Sequence, residues 1–367
     1  MSWNWQLPEW PTFHFNPECL ARQEKKFLLA VGSSSAFLKK IEEQDRQQFM
    51  IEILSTEGEL SSRIEGEILD RESLQSSIKR HFGLSAPQKA HHVKEVGMAN
   101  LLCDVYQSYS KPLTHDMLWE WHAKLFKGTS FGVDAGKYRD YEEPMQIVGH
   151  RLDVSHVFFE APPSKHVCSE MERYIQWFNS SEAAHSILGR TAIAHLYFEN
   201  IHPFEDGNGR IGRALVEKSL SQGVGRPILI AVSKVLEKRK KEYYQALEAC
   251  NRTLEATPWV EFFADAILQA QKESLSLLNF IVEKSKLMTK LVGQLNQRQE
   301  KMLLRMFQEG SKGFLGGLSA ENYIVITGAS RATATRDLME LVELGALYKT
   351  GELRHTRYWL NIDLNIA

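Results

Sequence analysis

Apolar positions recur at helical spacing along most of the chain, and only short stretches alternate as strands do. The first seventeen residues follow neither pattern. Trp3, Trp5, Trp10, Pro8, Pro11 and Pro17 predict an extended segment anchored by its rings to the domain behind it. Across 17–54 the positions of Phe27, Leu28, Val31, Phe37, Leu38 and Ile41 suit helix packing, with a soft break near Gly32. Ser61 and Glu65 stand four apart, hence on one face of a helix. Gly66 reads as that helix's end, and Asp70 as the cap of another running to about Phe82. Helices are expected over 92–109 and 114–127, the second capped by Thr114, with Leu101, Leu102, Val105, Leu118, Trp121 and Leu125 as core candidates.

The strand-like part follows at 145–163. Ile147 and Val148, then Val157 and Phe158, flank a polar middle, and Pro162-Pro163 end what reads as a β-hairpin. A helix over 164–179 carries Met171, Ile175, Trp177 and Phe178. Two more, 184–201 and 208–222, enclose a polar cluster; His185 and His195 in the first are expected to be ordinary helix residues. In the charged helix LEKRKKEYYQALEACN, nearby glutamates make Arg239, Lys240 and Lys241 a solvated face. A helical tract from Pro258 to about Glu309 is expected to break near 286–294. Helices at 300–309, 319–324 and 331–344 then precede two short strands around Gly351. The fold class is mainly α.

Composition removes several function classes. The 367 residues are 43% hydrophobic and 25% charged, ordinary for a soluble globular protein of two or three domains. A net charge of -2 creates no global field for nucleic acid or an anionic membrane. Cys19, Cys103, Cys168 and Cys250 have neither metal-site spacing nor the density of a disulfide scaffold, which fits reduced thiols in a cytoplasmic protein. The N-terminus lacks a basic n-region and a long apolar run, so a signal peptide is not expected. Nowhere do apolar residues run to the ~18 of a membrane span.

The candidate chemistry lies in HPFEDGNGRIGR, from His202 to Arg213. A glycine-rich turn opens a helix there, where backbone amides lack internal partners and the dipole favours an anion. Gly207 and Gly209 permit close approach of a ligand to backbone, and Arg210 and Arg213 supply guanidinium forks for phosphate oxygens. Asp206 can hold a divalent cation, and His202 is a candidate general base. No Gly-x-x-x-x-Gly-Lys-Ser/Thr string occurs, and no strand precedes the glycines, so neither a P-loop nor a Rossmann fingerprint is present. On the residues alone, a phosphate site on a turn stands beside a tight interhelical turn with solvated charges.

The string matches in full the signature of the Fic family, His-x-Phe-x-Asp/Glu-Gly-Asn-Gly-Arg-x-x-Arg. The resemblance implies a Fic-type helical core with a small β-hairpin flap, and transfer of AMP from ATP to a protein hydroxyl with Mg2+. It implies His202 as the base, Phe204 as the anchor of the loop and Asp206 as the Mg2+ ligand. Gly207, Asn208 and Gly209 become an anion hole, with Asn208 also positioning phosphate, and Arg210 and Arg213 hold the outer phosphates. Ser61-Ser62-Arg63-Ile64-Glu65-Gly66 resembles the inhibitory motif Ser/Thr-x-x-x-Glu-Gly/Asn of many Fic proteins, which implies that Glu65 ion-pairs with Arg213. Gly136-Lys137-Tyr138-Arg139 resembles a further Fic element; Arg139 either reaches substrate or forms a structural salt bridge. Tyr243 or Tyr244 is expected near adenine. The 145–163 hairpin matches the family's flap, which docks the protein substrate by strand addition. A homodimer is also expected from the resemblance.

These readings divide the chain into an N-terminal helical region (1–85) with the inhibitory helix near 59–66, a catalytic core (91–255), a helical linker (256–297) and a C-terminal module (298–367). The module resembles a winged helix-turn-helix in layout. Its nine Lys/Arg and eight Asp/Glu, a net of +1, suit dimerisation or protein docking as readily as DNA binding. Besides AMP transfer, two readings stay open. One is removal of AMP from a modified protein by the same site. The other is a DNA-binding regulator whose Fic core senses a nucleotide.

Overall fold

The computed structural model describes residues 2–86, 92–127, 132–151, 154–180, 186–310 and 313–363, with backbone alone for 149–151 and 154–156. Among them are fourteen α-helices and two two-stranded antiparallel sheets. In order these are α1 (Ala21–Leu38), α2 (Glu43–Ile64), α3 (Arg71–His81), α4 (Val93–Ser108) and α5 (His115–Phe126). Next come β1 (Gln146–Arg151), β2 (Val154–Glu160), α6 (Ser164–Ser180), α7 (Ile187–Ile201) and α8 (Asn208–Val224). The chain continues through α9 (Val232–Lys238), α10 (Lys240–Ala249), α11 (Thr257–Lys290), α12 (Gln297–Gln308), α13 (Ala320–Thr327), α14 (Arg331–Glu343), β3 (Leu347–Thr350) and β4 (Arg357–Leu360). It divides into two compact units: Met1–Phe37 with Met50–Ser274, and Leu38–Phe49 with Leu275–Ala367.

The first unit is built around α7 and α8. Apolar residues surround α7 on all sides rather than along one stripe, which marks a central helix. Every residue from Leu188 to Ile201 except Glu199 is buried. His185 lies outside the described residues. Local signals start the surrounding helices. The Asp70 carboxylate accepts from Ser73 N–H (2.7 Å), Thr114 Oγ1 from Met117 N–H (3.1 Å) and Ser186 Oγ from Gly189 N–H (3.0 Å). The N-terminal segment packs onto this unit as its aromatics suggest. Trp3 meets Phe159 edge-on at 5.4 Å, Trp5 Nε1 donates to Glu160 O (2.7 Å) and Trp10 Nε1 donates to Glu170 (2.9 Å).

Two expectations fail on packing grounds. Gly32 does not break its helix; the interruption lies at 39–42, between α1 and α2. A lone helical glycine costs about 1 kcal/mol, too little to end a helix whose apolar face is buried through Phe27 and Val31. Nor is 256–297 only a linker. Trp259, Val260, Phe263 and Ile267 on α11 are fully buried in the first unit's core, and the division between units falls at Ser274/Leu275.

In the second unit, Met302, Leu303, Tyr323, Leu338 and Leu341 from α12–α14 form one core with Leu347 and Leu360 of the β3–β4 hairpin. Asp337, fully buried, accepts from Tyr323 Oη (2.9 Å) and pairs with Arg298 (2.8 Å). No helix among the described residues is long and apolar enough to cross a membrane.

Candidate active site

The loop between α7 and α8 is shaped by its own side chains. α7 ends at His202, whose N–H donates to Phe198 O (3.0 Å) while its backbone turns left-handed (φ 51°, ψ 61°). Phe204 is fully buried and stacks on His122 at 4.2 Å and 6°. Asn208 accepts from Phe204 N–H (2.9 Å) and donates to Phe204 O (2.8 Å). Its amide thus braces the loop, and one N–H remains beside the cavity that Asn208 also lines. Phe204 likewise acts as an anchor and not as a nucleotide contact. His122 Nδ1 accepts from Gly136 N–H (2.9 Å), so Nε2 donates to Asp206 O (3.1 Å). Burial pushes His122 down to about 4, which keeps the ring neutral in this role.

Gly207 takes a left-handed turn (φ 83°) just before α8. The first helical bond runs from Ile211 N–H to Gly207 O (3.0 Å), so the amides of residues 208–210 precede it and suit an anion. A carboxylate already lies over this turn. Glu65 sits against Gly209 so closely that any Cβ there would meet its Oε1, and Oε1 lies 2.7 Å from Arg213 Nη2. Arg213 also donates from Nε to Ser61 Oγ (2.8 Å) and from Nη2 to Ser61 O (2.8 Å). Ser61 and Glu65 thus reach one guanidinium from the end of α2. The chain reverses at Gly66 (φ 84°), and Lys240 Nζ donates to Ile64 O (2.5 Å), capping α2. Lys240 is therefore not simply a solvated charge. Burial works against the Arg213 charge, but Glu65, Tyr243 and Glu199 outweigh it and raise its pKa.

A second carboxylate holds the other arginine. Glu67 Oε2 lies 2.8 Å from Arg210 Nη1, and its Oε1 lies 2.7 Å from Lys94 Nζ. Arg210 also reaches Asp206 Oδ1 at 3.2 Å. Glu67 stands only two residues past Glu65, yet nothing in a solvated acidic position marks it in the sequence as a partner for Arg210. His122 was missed as well, since its role depends on a ring stack between distant segments.

A cavity of about 680 Å³ opens beside these groups, with Glu65, Glu199, His202, Asp206, Gly209 and Tyr244 among its lining. His202 Nδ1 lies 3.3 Å from Glu199 O, which leaves the Nε2 lone pair unspent. Burial, chiefly, brings His202 down to about 4. Burial also pushes the Glu199 carboxyl up to about 8, assisted by the nearby Glu65 charge and opposed by Arg213. Asp206 Oδ1 accepts from Gly207 N–H (2.5 Å), Oδ2 has no hydrogen bond among the described residues, and the side chain is 56% exposed. One hard oxygen donor beside an anion-binding helix start fits Mg2+, which takes few protein ligands when nucleotide phosphates supply the rest. No cluster of three His, Cys, Asp or Glu able to hold a metal ion occurs among the described residues.

The two tyrosines differ. Tyr243 is buried with its hydroxyl on His195 Nε2 (2.8 Å) and lines the inner wall of the cavity. Burial, then the Arg213 charge, takes His195 down to about 3, and it serves as a neutral core group. Tyr244 is 43% exposed and is the ring able to meet a base. Arg139 is buried and bonded to backbone carbonyls, with no salt bridge among the described residues. The β1–β2 hairpin leaves Ile147 and Val148 exposed beside the cavity, with a bulge between them. Its tip, residues 152–153, lies outside the described residues.

Comparison with known proteins supplies the rest. Residues 112–220 match the model of the Fic/DOC family, and residues 3–84 match a domain of unknown function, DUF4172. Among curated proteins, the chain is 25% identical over 243 residues to a protein adenylyltransferase Fic of Drosophila ananassae, covering 65% of this chain and 43% of that protein. It is 26% identical over 206 residues to protein adenylyltransferase fic-1 of Caenorhabditis briggsae, covering 55% and 37%. The chain thus spans well under half the length of these relatives. A Fic family protein from Desulfovibrio desulfuricans shares the fold with a TM-score of 0.56 at 22% identity, covering 95% of this chain and 98% of that one. A Fic domain protein from Bacteroides thetaiotaomicron does so at 0.52 and 18%, covering 68% and 96%.

Proposed function

We propose, from the premise that this chain carries a Fic/DOC-family domain at residues 112–220, that it is a protein adenylyltransferase restrained by its own Glu65. The observation that carries the reading is one cavity lined by both His202 and the amide-rich start of α8, with a carboxylate seated where phosphate would lie.

In this reading the ATP phosphates replace Glu65 over the first turn of α8, and Arg213 exchanges its carboxylate partner for a phosphate oxygen. A protein Ser, Thr or Tyr hydroxyl enters along the β1–β2 hairpin by strand addition. The hydroxyl oxygen bonds to the α-phosphorus as the bond to the bridging oxygen breaks, and pyrophosphate leaves. His202 Nε2 takes the hydroxyl proton. Its low pKa keeps the imidazole neutral and available at physiological pH. The hydroxyl is far less acidic than imidazolium, so the proton moves within the transition state. Amides 208–210 and both arginines stabilise charge on the transferring and leaving groups. Mg2+ held by Asp206 would neutralise phosphate charge and orient the polyphosphate. We assign 298–367 to a winged helix-turn-helix module, on the order of its helices and strands and their shared core.

The test uses wild type, Glu65→Gly and His202→Ala with α-32P-ATP and Mg2+, following label on protein. Strong labelling in Glu65→Gly, weak labelling in wild type and none in His202→Ala is expected. Equal or lower labelling in Glu65→Gly would sink the restraint by Glu65. No label in any of them, with AMP released from a pre-modified protein only when Glu65 is present, would replace transfer by AMP removal.

A further inference from the structure

Arg139 presents an unusual arrangement: a guanidinium only 4% exposed, with no ion pair among the described residues. Burying a charge without a counter-charge is costly, and hydrogen bonds to carbonyls offset only part of that cost. The carbonyls it collects are not scattered. Nε donates to His202 O (2.8 Å), and Nη2 donates to Pro162 O (2.5 Å) and Ile201 O (3.4 Å). The Arg139 backbone N–H donates to Pro203 O (2.9 Å). One residue therefore holds three successive carbonyls around His202, together with the end of the hairpin.

His202 needs such support. With Leu353, it is one of two non-glycine residues among those described with a positive φ, and that region costs roughly 1–2 kcal/mol for a residue with a Cβ. The turn takes the His202 carbonyl out of the helical ladder, where Arg139 Nε receives it. It also places Nδ1 on Glu199 O, which selects the tautomer with a free Nε2. The groups facing the imidazole are Glu199 of α7, Glu65 after α2, Asp206 of the loop and Arg139. Of these charges Arg139 is the cation, and with burial it favours the neutral ring.

We propose that Arg139 is the positioning residue for His202: it holds the left-handed turn that aims the imidazole and ties that turn to the foot of the substrate-docking hairpin. This rests on the reading of His202 as the proton acceptor. Arg139 touches neither nucleotide nor hydroxyl, so its loss misplaces the base and leaves nucleotide binding intact.

The experiment compares Arg139→Met and Arg139→Lys in the Glu65→Gly background, each confirmed folded by circular dichroism and melting. Arg139→Met is expected to lower kcat about 100-fold, the order of effect of a 1 Å misplacement, with KM for ATP within about 3-fold. Lysine keeps the charge but loses the fork, and is expected to restore less than a tenth of the rate. A second readout needs no activity: NMR titration of His202 in the nucleotide-free protein, assigned with His202→Gln. Its midpoint is expected to rise in Arg139→Met towards the ordinary ~6.5. Full kcat in either variant, or a His202 titration and ring shifts unchanged in a folded Arg139→Met, would overturn the proposal. If Arg139→Met does not fold, the same two readouts on Arg139→Lys decide it. If the Glu65→Gly parent itself shows no transfer, the adenylyltransferase reading falls, while the titration still judges Arg139.

Discussion

Glu67 Oε2 lies 2.8 Å from Arg210 Nη1, two residues beyond Glu65, whose Oε1 lies 2.7 Å from Arg213 Nη2. One short turn after α2 therefore engages both arginines that flank the glycine loop. In the proposed function a phosphate would displace two carboxylates, and the Arg210 and Arg213 side chains are buried enough (7% and 2% exposed) that neither pair is a weak surface contact. Charge-assisted hydrogen bonds of this kind contribute about 1.5–3 kcal/mol. Glu67→Gln is accordingly expected to tighten ATP binding by about 10-fold, and the double variant with Glu65→Gly to exceed either alone. Calorimetric titration with ATP checks this; an affinity in Glu67→Gln equal to wild type would confine the restraint to Glu65.

The pH dependence should differ from that of an ordinary histidine enzyme. An unperturbed imidazole near 6.5 would lose its base form through the neutral range, whereas His202, lowered to about 4, is neutral throughout it. Protonation removes the base only as pH falls through about 4. In the Glu65→Gly background, the acid limb of kcat/KM is expected near or below about 4 rather than near 6.5. An acid limb centred near 6.5 would show that His202 is exposed to solvent in the working enzyme.

The loop's internal braces should matter for stability as well as rate. Phe204→Ala removes a fully buried ring stacked on His122 and is expected to cost about 3–5 kcal/mol. Asn208→Ala leaves the Phe204 N–H and carbonyl without their partners, at about 1–3 kcal/mol. Denaturant unfolding of each variant measures both. If Asn208→Ala unfolds like wild type but loses ATP affinity, its amide serves phosphate after all.

The tyrosine pair separates by role. Tyr244→Ala removes the exposed ring at the cavity and is expected to weaken ATP binding several-fold with little change in melting temperature. Tyr243→Phe leaves His195 Nε2 without its 2.8 Å partner and is expected to lower stability by about 1–3 kcal/mol, with ATP affinity nearly unchanged. The reverse pattern would exchange their assignments.

Much of the architecture was legible because its signals are local. Asp70 and Thr114 cap the helices that follow them, and the helix expected over 184–201 is the buried α7. Alternation around 145–163 became β1 and β2, and the helices and strands after residue 297 follow the expected order. The positions of His202, Asp206, Gly207 and Arg213 at a loop–helix junction follow from the glycine turn, since a helix start leaves its amides unpaired wherever it occurs.

Other features depend on which distant segments meet. Local pattern misplaced the break in the first helical run and the end of the first unit, because burial of Phe27, Val31 and Trp259 outweighs a glycine or a change in composition. The bonds of Asn208 to Phe204 and of Tyr243 to His195 join residues that the linear chain does not pair by any local pattern. Glu67 carries no mark of its importance in the linear chain, and the Gly-Lys-Tyr-Arg string that marks Arg139 does not say what it holds. An acidic residue after a helix and an arginine in a loop are defined by what they face, and hydrogen-bond partners 143 or 63 residues away are chosen by the packing of helices, not by spacing. Residue identity set the available chemistry; long-range packing settled which donor each acceptor meets.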